Sequence, residues 1–110
     1  MSARRYAVVW TEVAAQDVER LAAYLTEEAP LRAEELLDRI ISRGDSLATS
    51  PDRGRTPPEL RSIGDESWRE ILESPWRIIY RIVGKTVEIH GVLDGRRSLE
   101  DILLDRILHA

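Results

Sequence analysis

The segment Trp68-Arg69-Glu70-Ile71-Leu72, followed by Pro75-Trp76-Arg77-Ile78-Ile79-Tyr80-Arg81-Ile82-Val83 and then by Val87 to Asp94, decides the fold. In the second run Trp76, Ile78, Tyr80 and Ile82 alternate with Arg77, Ile79, Arg81 and Val83, which is the two-residue period of a half-buried strand. One face is expected to pack into a core, and the other to gather the arginines of consecutive strands. Gly84-Lys85 lies between two strong strand runs and reads as a tight hairpin turn, so its neighbours pair antiparallel. Guanidinium groups on such a face bind phosphate or carboxylate through forked hydrogen bonds. A solvated face is the plain alternative.

On the N-terminal side, Tyr6-Ala7-Val8-Val9-Trp10 reads as a first strand buried within the fold, and Thr11 offers a helix N-cap. Ala14, Val18, Leu21, Ala22 and Leu25 recur at helical spacing, with Glu12, Asp17, Glu19, Glu27 and Glu28 expected in solvent. Ala29-Pro30 ends this helix. Ala33, Leu36, Leu37, Ile40, Ile41, Leu47 and Ala48 write a second helix, interrupted by Gly44 and finished near Ser50-Pro51. Pro51, Gly54, Pro57 and Pro58 mark an ordered connection, anchored by Leu60 and Ile63. Past Arg97, Ser98 can cap a last helix with an apolar stripe of Leu99, Ile102, Leu103 and Ile107. The expected architecture is α+β, in two layers. An N-terminal strand and an α-helical hairpin pack on a mainly antiparallel sheet, a C-terminal helix follows, and residues 1–110 form one domain.

Composition narrows the chemistry. There is no cysteine and the histidines are His90 and His109, so thiolate ligation is out of reach and neither a metal site nor a cofactor is expected. No apolar run is long enough to span a bilayer and no leader pattern opens the chain, which implies a cytoplasmic protein without a membrane partner. A net charge of -4 opposes indiscriminate binding to nucleic acid. Yet the stretch from Arg69 to Arg97 carries an excess of two positive charges, and Lys85 is the one lysine among 16 basic residues. Trp10, Trp68 and Trp76 are read as packing residues.

The order of these elements resembles the RelE/ParE superfamily of bacterial toxins. Its carriers are the opening strand and the helix through Ala14 and Asp17, Ser50-Pro51 with Gly54-Arg55, Pro58-Glu59-Leu60, Trp68-Arg69-Glu70, Trp76 through Ile82, and Val92-Leu93-Asp94-Gly95-Arg96-Arg97. The resemblance implies a toxin of a type II toxin-antitoxin system, neutralised by a cognate antitoxin and meeting operator DNA only through it. The superfamily holds two biochemistries: RelE-like members cut messenger RNA on the ribosome, and ParE-like members poison DNA gyrase.

RNA cleavage by the neighbouring 2'-hydroxyl needs a base, an acid and a phosphate-stabilising cation. By the resemblance, Arg69 and Arg77 match basic positions, but the second basic position of the first of these strands falls on Ile71 and the C-terminal tyrosine position falls near Asp101. Tyr80 belongs by alternation to the core. The expectation is therefore a ParE-like gyrase poison without catalytic residues of its own. Arg69, Arg77, Arg81, Arg96 and Arg97 are its target- or antitoxin-binding positions. The alternatives are a ribosome-dependent endoribonuclease, with Arg69 and Arg77 on phosphate and His90 or Glu88 moving the proton, and an inactive antitoxin-binding module.

Overall fold

The computed structural model describes residues 5–95, and the expectations for Arg96, Arg97, Asp101, His109 and a C-terminal helix lie outside them. Strand β1 (Ala7–Trp10) leads into helix α1 (Glu12–Glu28) and helix α2 (Ala33–Asp45). After two 3-10 turns and a short helix α3 (Pro58–Arg61) come β2 (Arg69–Glu73), β3 (Trp76–Val83) and β4 (Thr86–Asp94). The sheet order is β1-β4-β3-β2, with β1 parallel to β4 and the other pairs antiparallel. Among the described residues no helix is long and apolar enough to cross a membrane.

Local chemistry sets the helix ends. Thr11 takes an extended conformation, and its Oγ1 accepts a hydrogen bond from the Ala14 amide at 3.2 Å while donating to the Ile89 carbonyl at 3.1 Å. One side chain thus caps α1 and ties its start to β4. Ala29 closes the helix with its amide on the Leu25 carbonyl. Gly84, at φ 61°, supplies the positive φ that a two-residue hairpin turn needs between β3 and β4.

The helix stripes do cover the sheet. Ala14, Ile40, Leu47, Ile71, Ile78, Tyr80, Val87, Ile89 and Val92 form the core, with Tyr6, Val8, Trp10, Val18, Leu21, Trp76 and Ile82 packed around it. Four local expectations change. Strand β1 is an edge, with Ala7 and Val9 exposed, because it pairs with β4 alone. Gly44 does not interrupt α2; it lies inside the helix, buried beneath the Trp10 ring. Ile63 is 75% exposed, so Leu60 is the anchor of the connection.

The fourth concerns Asp17, which is buried rather than solvated. Its Oδ2 accepts the Val92 amide at 3.0 Å. Val92 lies three residues beyond Ile89, the last β4 residue with a β1 partner. The carboxylate therefore serves a strand amide that the short edge strand does not reach, in a place where an unbonded amide costs about 1–3 kcal/mol.

Candidate functional site

The outer face of the sheet, away from the helical hairpin, carries Arg77, Ile79 and Arg81 of β3 as alternation requires. It is not a row of arginines open to solvent. Ile79 and Leu93 are buried there under Leu60 and Trp68. Leu93 reaches this face because a bulge opposite Ile79 and Tyr80 pairs Ile79 with Gly91 but Tyr80 with Ile89. His90 is the extra residue, and the shift turns Val92 to the core and Leu93 outward.

Arg77 is the centre of an ion ladder. Its Nε donates to Glu70 Oε1 at 2.6 Å, and its Nη1 and Nη2 donate to the two oxygens of Glu59 at 2.9 Å each. Glu70 in turn accepts from Arg55 Nε at 2.8 Å. The Glu70 side chain is fully buried and that of Arg77 is 8% exposed. The forked bond to Glu59 raises the Arg77 pKa further, burial opposes this, and Glu70 adds to it, so the guanidinium is charged at every working pH. Two cations and two anions alternate, and this buried charge is matched within the chain.

Arg69 does not join Arg77. It stands opposite Tyr80 in the register, hence on the helix-facing side, where its Nη1 donates to the carbonyls of Asp52 at 3.1 Å and Gly54 at 2.9 Å. The Tyr80 hydroxyl holds the same segment, donating to Pro51 at 2.6 Å and accepting from the Gly54 amide at 3.0 Å. Burial raises the Tyr80 pKa, which keeps this phenol protonated.

Arg81 is the more open position. Its Nε donates to Glu88 Oε1 at 2.8 Å, and its guanidinium carbon lies 5.3 Å from the centre of the Trp68 ring. His90 Nε2 is 3.0 Å from the same Glu88 oxygen and meets Trp68 edge-on, with ring centres 4.9 Å apart. The His90 hydrogen bond, and then that of Arg81, hold the Glu88 carboxyl below its ordinary range. Ile71 is buried in the core, so a proton-transfer group is missing at that position.

The arginines stand out in the sequence, whereas the members of the ladder around Arg77 do not: Glu59, Glu70 and Arg55 enter it only as parts of the resemblance. The available signal for Glu70 was its outward phase in β2, opposite Ile79 and therefore diagonal to Arg77 on the next strand. Glu59 gave none, because it sits 18 residues from Arg77 on a separate short helix.

A family model described as the ParE toxin of the type II toxin-antitoxin system, parDE, matches residues 8–99. Toxin ParE3 of Caulobacter vibrioides (strain ATCC 19089 / CIP 103742 / CB 15) is 31% identical over 93 residues, spanning 84% of this chain and 89% of that protein. A structure of the chromosomal ParDE TA system from P. aeruginosa superposes with a TM-score of 0.68 at 20% identity, over 84% of this chain and 98% of that one. The toxin-antitoxin complex RelBE2 from Mycobacterium tuberculosis gives 0.60 at 21%, over 84% and 94%. A mutant of the E. coli toxin RelE in the free state gives 0.60 at 15%, over 94% and 98%. At such identities these structural likenesses concern the fold. With the family match and the ParE3 relative added, the chain belongs to the ParE toxin family of type II toxin-antitoxin systems, within the RelE/ParE superfamily.

Proposed function

We propose that this chain arrests growth by binding DNA gyrase and trapping its cleaved-DNA complex, and that a cognate antitoxin neutralises it. It does no chemistry of its own in this reading. The observation that carries it is the Arg55–Glu70–Arg77–Glu59 ladder: the outer-face arginine best placed to grip a scissile phosphate is bonded to two carboxylates instead. The burial of Ile71 and of Tyr80 supports the same reading, since neither offers an acid or base to a substrate. Membership of the ParE family favours it over ribosomal cleavage.

The arginines then divide by role. Arg81, whose side chain is 45% exposed beside Trp68, meets the target or the antitoxin together with Arg96 and Arg97. Arg69 and Arg77 serve that surface by fixing the Pro51–Arg61 connection against the sheet. One observation favours the endoribonuclease reading: His90 Nε2 stands 3.0 Å from Glu88 Oε1 on the outer face, within the reach that a proton-transfer couple requires. Purified gyrase decides between them. The gyrase reading requires inhibition of supercoiling with accumulation of cleaved DNA at stoichiometric toxin, and active gyrase in toxin excess overturns it. Breaks in translated messages that disappear in His90→Ala would instead establish the ribonuclease.

A further inference from the structure

One carboxylate oxygen on the outer face, Glu88 Oε1, receives donors from two strands: Arg81 Nε of β3 at 2.8 Å and His90 Nε2 of β4 at 3.0 Å. A carboxylate only accepts, so His90 Nε2 carries the proton of its bond. The β4 bulge makes the arrangement possible. His90 is its extra residue, held by Glu88 and Trp68 rather than by a residue directly opposite on β3. Among the described residues, His90 is faced by Glu88 of its own strand, Arg81 of β3 and the uncharged ring of Trp68 ahead of β2. From β1 comes Val9, also uncharged, opposite Glu88 in the register. Water reaches all three polar side chains, since Arg81 is 45% exposed, His90 31% and Glu88 29%.

We propose that His90, Glu88 and Arg81 form a pH-sensitive switch, in which His90 on taking up a proton keeps Glu88 for itself and releases Arg81 to an anionic group of a partner. Imidazole side chains ordinarily change charge between about pH 5 and 8. Glu88 stays ionised through that range, because its bonds to His90 and Arg81 hold its carboxyl below the ordinary range. With His90 neutral, the charges of Arg81 and Glu88 cancel. With His90 charged, two cations compete for one oxygen and repel each other. Arg81 is the one to yield. It is the longer and more exposed side chain, and an exposed arginine–carboxylate pair is worth little by itself. The Trp68 ring, 5.3 Å from its guanidinium carbon, keeps the released group on the outer face. Acid therefore adds one positive charge to this face and frees the donors of Arg81. The benefit to a partner rests on the reading of Arg81 as a contact residue; the switch itself does not.

The test follows the Arg81 Nε–H signal and the His90 ring signals by NMR on the purified full chain, from about pH 8 down to about pH 5. Both are expected to move in one step with a shared midpoint. Hydrogen exchange at Arg81 Nε, referred to free arginine at each pH, becomes about tenfold faster on the acid side, as the loss of a charge-assisted hydrogen bond implies. His90→Gln keeps a neutral donor to Glu88 and abolishes the Arg81 step, whereas His109→Gln retains it. In supercoiling assays with purified gyrase, the inhibitory potency of the parent relative to His90→Gln rises about threefold between pH 8 and pH 6. A fixed Arg81 signal, or a step that survives in His90→Gln, overturns the switch whatever gyrase does. A moving Arg81 signal with no inhibition of gyrase at any pH upholds the switch and overturns the gyrase reading. A moving signal with inhibition whose ratio to the variant stays constant overturns the link to the partner. If His90→Gln does not fold, the coincidence of midpoints in the unmodified chain decides alone.

Discussion

Arg77 and Tyr80 lie three positions apart on β3 and face opposite sides of the sheet, and each fixes the Pro51–Arg61 connection through a different chemistry. Removing the Arg77 side chain leaves Glu59 without its forked partner and buried Glu70 with Arg55 alone. Arg77→Ala is expected to lower the unfolding free energy in urea by about 3–5 kcal/mol, the cost of breaking a buried pair from one side. Arg77→Lys recovers only part of this, because an ammonium cannot form the fork. Tyr80→Phe removes a donor to Pro51 and an acceptor for Gly54, and about 1–3 kcal/mol should go with them. Its pH signature separates it from a packing defect. The folded pKa of Tyr80 is raised, so above about pH 10 the unfolded chain ionises while the fold retains the proton. Stability is then lost as pH rises through that range, and Tyr80→Phe is expected to flatten the decline in denaturation curves. The inward phase of Tyr80 was legible from alternation alone; the ladder around Arg77 was not, because its partners belong to other elements.

The elements follow local signals closely where those signals are local. Thr11, Ala29-Pro30 and Gly84-Lys85 bound their elements as capping, proline sterics and turn chemistry require. What escaped the sequence depends on neighbours distant in the chain. The β4 bulge that sends Val92 inward and Leu93 outward arises from pairing with β3, and nothing in Val87–Asp94 by itself marks it. Gly44 looked like a helix interruption because intrinsic propensity disfavours glycine, whereas the helix continues through it so that Trp10 can pack there. Two effects compete in Gly44→Ala. The gain in helix propensity is about 1 kcal/mol. A Cβ at 2.5 Å from the Trp10 ring and 2.9 Å from Ile89 costs more, about 1–3 kcal/mol for an overpacked core. The variant is therefore expected to melt at a lower temperature than the parent, despite its better helix former.

At the scale of the molecule, two layers bury one apolar face of the sheet under the helical hairpin, while the outer face balances most of its own charge. That division explains why the family was readable from the order of strands, helices and turns, and why the site was only partly readable. The arginines are visible in sequence, but which of them meets a partner depends on the carboxylates that close over them. The central claim is that this toxin works by binding gyrase rather than by cutting RNA. The most direct test adds purified chain to purified gyrase on relaxed plasmid and follows supercoiling together with cleaved DNA, with and without Arg81→Glu. The account predicts inhibition near stoichiometry, accumulation of cleaved plasmid, and loss of both in the Arg81 variant. Full supercoiling in the presence of excess folded toxin would contradict it.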